Sequence, residues 1–353
     1  MHSSPPAPAA TPFPGCIDAF ETLFRLCRAS ADESTMVLAE PGTRSDNLSF
    51  AVAALDRLGI KPTLVTAPAP PIPPGPIIRS TGASTALNHQ PQLLEQLQQA
   101  DLLVDMTVEG LMHAEQTASL LQAGVRIQNI ANEHPETLQR LAPLPHDRDH
   151  VRAAVAACRG ASQMQVTSAA GTDLSVSMGG AATVGVWGWT DRPGTLAHWP
   201  GGLVVSFPSA GSVNGTLVMA AGDVNLTFKR YLEAPVIFHL EDDFVTRIEG
   251  TGTDAELMRR YLAEFKDPLA YATSHVGWGL NERASYAALA MLDKRDTNGN
   301  ELRALAGNFL FSTGANEFAG RHTLGHFDLP VMHCDITLDG VPVVAAGVPV
   351  TLT

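Results

Sequence analysis

Three places in the last quarter of the sequence carry side chains that can ligate a metal. His326 and Asp328 lie two residues apart, and so do His333 and Asp335 a little further on. Side chains two positions apart in a strand point to the same face, so each pair is a compact two-ligand unit. His275, in the segment Ser-His-Val-Gly-Trp-Gly-Leu, adds a further imidazole among small residues. Two imidazoles and one carboxylate are the ligands with which non-haem Fe(II) centres keep coordination positions open for O2 and substrate.

Spacing alone does not choose between the two His-x-Asp pairs. Apolar residues at alternating positions, Phe327, Leu329 and Val331, indicate that the first pair lies on the opposite face of a strand with one buried side. The second pair precedes the turn signal Asp339-Gly340, which places it near a strand end. An isolated His-x-Asp is more often an exposed surface pair, and an isolated histidine is more often a hydrogen-bonded structural residue.

The elements that would position these residues fall into two regions. Residues 15–160 alternate helix-spaced apolar positions with short apolar runs such as Thr35–Ala39 and 101–106. This alternation predicts an N-terminal open parallel α/β domain. Residues 161–353 instead have short strand-like runs between turns rich in Gly, Ser and Asp, which predicts a β-rich α+β metal-binding domain. The Pro, Ala and Ser content of residues 1–14 predicts a disordered tail.

Two helices are expected in the second region. Thr253 and Glu256 form a capping-box pattern ahead of an apolar stripe, and residues 283–292 have the composition of another helix. In the first region, Ala67–Pro76 contains six prolines and is therefore predicted to be a rigid loop. No Gly-x-Gly-x-x-Gly follows a predicted strand, so the fingerprint of a dinucleotide-binding domain is absent.

Composition limits the class of protein. A chain of 353 residues, 45% hydrophobic and 17% charged, is typical of an ordinary globular protein with two domains. Four scattered cysteines without a Cys-x-x-Cys motif predict a reduced, cytoplasmic protein. The net charge of −13 argues against nucleic acid or an anionic membrane as a partner, since both require a basic surface. No apolar run approaches the roughly 20 residues that span a bilayer.

Four segments carry a resemblance to a known family. They are His198-Trp-Pro-Gly-Gly202, His275-Val-Gly-Trp-Gly-Leu280, Gly307-Asn-Phe-Leu-Phe-Ser-Thr-Gly314 and Gly325-His-Phe-Asp-Leu-Pro330. Together they resemble the 2,5-dihydroxypyridine 5,6-dioxygenases, and the resemblance runs from about residue 101 to near residue 347. It implies an aminopeptidase T-like fold, a mononuclear Fe(II) cofactor, a small aromatic substrate with O2, and a homo-oligomer. The implied reaction opens 2,5-dihydroxypyridine to N-formylmaleamate in nicotinate and pyridine breakdown.

The resemblance also implies a role for each matching residue. His275, His326 and Asp328 match the iron ligands, which favours the first His-x-Asp pair over the second. His113 and His198 match active-site histidines, and which of them accepts a proton stays open. The remaining matches concern the substrate: Leu111 and Met112 in a loop that covers the pocket, Ser312 as a hydroxyl that contacts the substrate, and Arg303 as an anchor for a ring oxygen.

Two positions bear on the alternative functions. The family has a pocket glutamate where this chain has Val186, so a differently substituted N-heteroaromatic ring is one alternative. The related metallopeptidases place metal-binding glutamates where this chain has Leu203 and His275. A two-metal hydrolytic site needs bridging carboxylates, so their loss favours a single metal. An aminopeptidase T-like metallopeptidase and a binding protein without chemistry remain the other hypotheses, and a bound metal would count against the latter.

Overall fold

A computed structural model of the chain describes residues 13–69, 75–130 and 132–351. The predicted tail, residues 1–14, lies outside this part except for its last two residues, and so does the centre of the proline-rich segment 67–76. Within the described residues the helices are α1 Cys16–Leu26, α2 Ser45–Arg57, α3 Pro91–Leu97, α4 Thr117–Gln122, α5 Pro135–Arg140, α6 Asp147–Gly160, α7 Thr253–Glu264, α8 Ala288–Met291 and α9 Asn300–Ala304. None of these helices is long and apolar enough to cross a membrane.

The strands fall into two groups along the chain. The first are β1 Thr35–Ala39, β2 Thr63–Thr66, β3 Leu102–Asp105, β4 Arg126–Asn129, β5 Gln163–Ser168, β6 Asp173–Ser177, β7 Ala182–Val186, β8 Leu196–His198, β9 Leu203–Phe207 and β10 Val213–Met219. The second are β11 Val224–Asn225, β12 Arg230–Tyr231, β13 Val236–Glu241, β14 Phe244–Glu249, β15 Thr273–Gly279, β16 Phe309–Asn316, β17 Arg321–Val331, β18 Cys334–Leu338, β19 Val341–Ala345 and β20 Val348–Pro349.

A parallel sheet forms the first layer, with strand order β2-β1-β3-β4-β8. All four of its pairings are parallel, which confirms the predicted open parallel sheet. Its inner strands β1 and β3 are buried along their whole length, as strands covered on both faces should be. The last strand, β8, comes from sequence beyond residue 161 and ends at His198. The sheet therefore gathers the carboxyl ends of strands from both regions of the sequence.

Two large antiparallel sheets follow the parallel one, and β11 and β12 pair as a small third antiparallel sheet. One large sheet has the order β14-β13-β10-β6-β5-β18-β19-β20, and the other has the order β17-β16-β15-β9-β7. The two large sheets share one apolar core, to which the antiparallel five-stranded sheet contributes Val276, Phe311, Phe327 and Leu329. Because side chains alternate along a strand, the neighbours of these residues occupy the opposite face of the same sheet. That opposite face carries the candidate site.

Two of the predicted helices differ in detail from the structure. Helix α7 begins at Thr253, but its N-cap is Gly252 with φ of 86°, and no side chain caps it, so the capping-box prediction is wrong. A glycine takes this left-handed conformation without the steric cost of a Cβ, so backbone conformation replaces the side-chain cap. The helix predicted over 283–292 is reduced to α8. Residues ahead of it make tertiary contacts instead: Arg283 donates to the carbonyl of Ala142, and the Ser285 amide donates to Glu301.

Candidate active site

Three neighbouring antiparallel strands bring four polar side chains together. The register sets Ser312 on β16 opposite Asp328 on β17, and Gly314 opposite His326. His275 lies on β15, which pairs with the other edge of β16. His275, Ser312, His326 and Asp328 are all buried. The sheet therefore positions these side chains through its hydrogen-bonded ladder.

Asp328 is the centre of this cluster. Its Oδ1 lies 3.6 Å from Nε2 of His275 and 3.4 Å from Nε2 of His326, and it accepts a hydrogen bond from the Ser312 hydroxyl. Its Oδ2 accepts from Nε of Arg303 at 2.6 Å. One carboxylate oxygen therefore faces the two histidines, while the other is held by the guanidinium.

The competing His-x-Asp pair lies elsewhere. His333 and Asp335 are exposed at the start of β18, in the eight-stranded sheet. His333 takes a left-handed backbone conformation, with φ of 58°, and the Asp335 carboxylate accepts the amide of Ala346 at 2.7 Å. The structure does not bring this pair to the cluster.

Burial controls the protonation of the cluster. It lowers the pKa of His275 to about 3, against the opposing charge of Asp328. Burial also works against ionisation of Asp328, but the charge of Arg303 outweighs it and holds the pKa of this carboxyl well below its usual range. A neutral imidazole beside an ionised carboxylate is the state in which both groups can ligate a cation.

The donor set fits a divalent metal of intermediate softness. The Nε2 atoms of His275 and His326 converge on Oδ1 of Asp328, at 3.6 Å and 3.4 Å. A cation held between these three atoms would bind two imidazoles and one carboxylate, a donor set that suits iron.

A loop of the parallel sheet faces the cluster and forms a second wall of the site. The loop after β3 carries His113, whose ring centroid is 4.6 Å from that of His326 and 6.4 Å from that of His275. These three histidines form the one group of three or more metal-binding side chains, among the described residues, whose ligand atoms all lie within 4.8 Å of one another. The geometry thus offers two choices for a third ligand beside His275 and His326, namely Asp328 or His113.

Two carboxylates that the sequence analysis did not single out hold this wall. Asp105, buried at the end of β3, accepts the amide of Thr107 at 3.0 Å and the amide of Leu111 at 2.7 Å. Glu317, beyond β16, accepts Nδ1 of His113 at 3.0 Å. Asp105 carries a sequence signal, since a charge that ends an apolar strand run must find partners there. Glu317 carries none.

The substrate-related residues of the loop have separate positions. The Leu111 side chain is fully buried in the core under the parallel sheet, so it anchors the loop and leaves the pocket to its neighbours. Met112 is half-buried and, with His113, packs against Gly82. A Cβ on Gly82 would lie 3.3 Å from both side chains, and its φ of 66° is left-handed. Glycine therefore allows this close approach.

His198 ends β8 and is buried. Its Nδ1 is 2.7 Å from the carbonyl oxygen of Pro200, which can only accept, so Nδ1 carries the proton. Burial lowers the pKa of His198 to about 4, helped by the charge of Arg303 and opposed by that of Asp328. His198 and His113 both follow carboxyl ends of parallel strands, the edge at which open α/β sheets bind ligands.

Arg303 on α9 is engaged by protein groups. Besides Asp328, its guanidinium donates to the carbonyl of Asn298, the side chain of Asn300 and the carbonyl of Ser80. These contacts orient the Asp328 carboxylate and tie it to the segment of Ser80 and Gly82, which packs against the loop of His113. The structure thus places Arg303 behind the carboxylate.

Val186 and Leu203 lie in an apolar cluster. Both pack with Val205 and Phe207 on the site-bearing face of the five-stranded sheet. Phe207 meets the His275 ring edge-on, with centroids 5.4 Å apart. The positions at which relatives are expected to carry glutamate therefore form an apolar wall beside the cluster.

Comparisons with known proteins agree with this geometry. The family model for 2,5-dihydroxypyridine 5,6-dioxygenase matches residues 15–351. A 2,5-dihydroxypyridine 5,6-dioxygenase of Pseudomonas putida KT2440 is 37% identical over 332 residues, covering 93% of this chain and 94% of the relative. The solved structure of 2,5-dihydroxypyridine dioxygenase from the same organism superposes with a TM-score of 0.91 at 35% identity, over 98% of this chain and 99% of that one. AmpT from Thermus thermophilus, 15% identical over 96% of this chain and 99% of its own, shares the fold with a TM-score of 0.62. The chain belongs to the 2,5-dihydroxypyridine 5,6-dioxygenase family.

Proposed function

We propose that this protein is a ring-cleaving dioxygenase that opens 2,5-dihydroxypyridine and incorporates both atoms of O2. The observation that carries the proposal is the buried convergence of His275, His326 and Asp328 in a chain of this family. The name of the relative with 37% identity supports the substrate. The product would be N-formylmaleamate, which has the composition of the substrate plus one O2, so no further reductant is needed.

We propose Fe(II) as the cofactor, held by His275, His326 and Asp328. Bound Fe(II) would supply the one-electron chemistry that lets O2 react with an electron-rich ring. Asp328 is preferred to His113 as the third ligand because its Oδ1 already faces both histidines within the same sheet. Ser312 and Arg303 would keep this carboxylate in place, as partners of metal ligands commonly do.

Two histidines could accept the proton of the ring hydroxyl. Both have Nδ1 beside an acceptor, the carbonyl of Pro200 for His198 and the carboxylate of Glu317 for His113. Each would thus offer the lone pair of Nε2 to the substrate. His198, with a pKa lowered to about 4, is a weak base near neutral pH. A base that takes up a proton only in acid is poorly suited to this step, and the ring centroid of His113 lies 4.6 Å from that of His326, so we assign the proton transfer to His113.

The other residues would bind and enclose the ring. Met112 would cover it from the loop, while the apolar wall of Val186 and Leu203 would exclude water from one side. Ser312 donates to Asp328 in the structure, so we propose that it contacts the substrate only through its acceptor lone pairs. We further propose that the enzyme acts in nicotinate or pyridine catabolism, in the cytoplasm, as a homo-oligomer.

The test is anaerobic reconstitution with Fe(II), followed by air and 2,5-dihydroxypyridine. We expect loss of the ultraviolet band of the ring, one O2 consumed per ring, and N-formylmaleamate identified by mass spectrometry. Turnover only with a differently substituted dihydroxypyridine would keep the reaction class and replace the substrate. Absence of ring cleavage, together with metal-dependent release of amino acids from peptides, would instead establish a metallopeptidase.

A further inference from the structure

The ring of His113 is held by a carboxylate that follows β16, in the sheet that carries the cluster. Its Nδ1 lies 3.0 Å from Oε1 of Glu317, while its backbone amide donates to the carbonyl of Gly82 at 2.6 Å. Only 5% of the His113 side chain is exposed. The loop is thus attached to its own region through the backbone and to the sheet that carries His275 and His326 through the imidazole.

Glu317 is itself well anchored. It begins a short 3-10 helix, Glu317–Ala319, and the preceding Asn316 caps this turn by accepting the amide of Ala319 at 3.0 Å. The Asn316 side chain also donates to the carbonyl of Pro208 at 3.1 Å. A carboxylate on a turn that is held by these hydrogen bonds can fix the direction of a partner ring as well as attract it.

The hydrogen bond selects one tautomer of His113. An ionised carboxylate can only accept, so the proton of the neutral imidazole must lie on Nδ1. Nε2 then carries the lone pair. No hydrogen bond to Nε2 occurs among the described residues, and the ligand atoms of His113 and His326 lie within 4.8 Å of each other. The atom left free is therefore the one a substrate bound beside the cluster can reach.

We propose that Glu317 is a positioning residue for His113, fixing its ring and its Nδ1-protonated tautomer so that Nε2 accepts the proton of the substrate hydroxyl. The inference rests on the proposed function. Glu317 acts through His113 and does not itself touch the reacting atoms. Glu317 lies 204 positions from His113 in the sequence, so this contact joins the loop after β3 to the sheet that carries the cluster.

A second pair in the chain provides a matched control. His239 and Glu249 also form an imidazole–carboxylate contact, with Nε2 to Oε1 at 3.1 Å, on β13 and β14. This pair is more exposed and lies on the eight-stranded sheet, away from the cluster. Glu249→Ala thus removes the same kind of contact without affecting His113.

The kinetic test uses the iron-loaded enzyme. We expect Glu317→Ala to lower kcat about tenfold to a hundredfold, with KM and iron per chain nearly unchanged, because an orienting partner of the active-site histidine is lost. Glu317→Gln, whose Oε1 can still accept from Nδ1, should recover most of the loss. In a His113→Ala background, Glu317→Ala should have no further effect. Glu249→Ala should match the wild type.

An independent readout separates this inference from the proposed function. In protein with 15N-labelled histidine and bound Zn²⁺, long-range 1H–15N spectra report which nitrogen of His113 carries the proton. We expect the Nδ1–H form in the wild type and its loss in Glu317→Ala, whether or not 2,5-dihydroxypyridine is turned over. An unchanged tautomer, an additive double variant, or loss of iron on Glu317→Ala would each overturn the positioning role.

Discussion

The two walls of the site, one from the antiparallel sheet and one from the loop after β3, are built in different ways. On one side, His275, His326 and Asp328 project from β15 and β17, the two strands that pair with β16, so the backbone ladder fixes their spacing. On the other side, His113 lies on a loop, where its place depends on side-chain contacts from Asp105 and Glu317. A metal needs a rigid donor set, whereas a cover has to admit the substrate and release the product. Substitutions in the sheet wall and substitutions in the loop wall should therefore have distinguishable effects.

The largest effect is expected from the sheet-borne wall. His326→Ala removes one of the proposed ligands, so we expect iron per chain to fall close to zero and ring cleavage to reach background. Metal analysis and O2 uptake measure both. The competing pair supplies the control: His333→Asn keeps a residue that tolerates a left-handed φ and should retain iron and activity. Iron loss in the control alone would move the site to β18.

A smaller loss of metal affinity is expected from Arg303→Lys. Lysine keeps the charge but lacks the planar fork that reaches Asp328, Asn298 and Ser80 together. We expect iron affinity to fall about tenfold to a hundredfold, measured by competition with a chelator.

The control for this variant is a second buried ion pair. Arg321 donates to Asp243 at 2.6 Å with similar burial, also at the five-stranded sheet. Arg303→Lys and Arg321→Lys should each lower the free energy of unfolding in urea by roughly 1–3 kcal/mol. Arg321→Lys should leave iron affinity unchanged. Equal affinity losses in both variants would show that Arg303 acts through general stability alone.

The contrast between the walls also explains what the sequence could predict. His326 and Asp328 could be paired because a strand places positions i and i+2 on one face, a rule that needs no tertiary information. The contact of His113 with Glu317 joins two loops that are 204 positions apart, and no local pattern encodes it. The wrong capping-box prediction at Thr253 shows the same limit. Gly252 is the N-cap because of its backbone conformation, and the side-chain pattern does not encode that conformation.

The fold was predictable for a similar reason. Alternating helix and strand periodicities identify a parallel sheet, and the runs at β1 and β3 were located to within a residue. The pairing of β8 with β4 could not be foreseen, because a three-residue strand carries too little pattern. His198 was therefore known from resemblance, and its place at the edge of the parallel sheet only from the structure.

An intermediate effect is expected from the loop-borne wall. Asp105→Ala removes the acceptor that holds the amides of Thr107 and Leu111, so the loop and His113 should shift. Because a displacement of about 1 Å can cost about a hundredfold in rate, we expect kcat/KM to fall by about tenfold to a hundredfold with iron retained. Asp101→Ala, at the exposed position just before the same strand, is the control and should leave kinetics unchanged. Loss of iron with Asp105→Ala would mean that the two walls are not independent.

The smallest effect near neutral pH is expected from His198. Its pKa in the folded protein is lowered to about 4 by burial, whereas an unfolded histidine titrates near 6.5. As the pH falls below about 6.5 the unfolded chain therefore binds a proton that the folded chain refuses. The stability lost should reach about 3 kcal/mol once the pH is below about 4, and it is absent above 6.5.

The variant His198→Gln isolates this contribution, since glutamine does not titrate. We expect the free energy of unfolding in urea to fall less steeply with acidification in the variant than in the wild type, with the gap growing between pH 6.5 and 4. Parallel curves would mean that His198 is protonated as easily in the folded protein as in the unfolded chain. A histidine so easily protonated would be a better base than we infer, and the assignment of proton transfer to His113 over His198 would lose its main support.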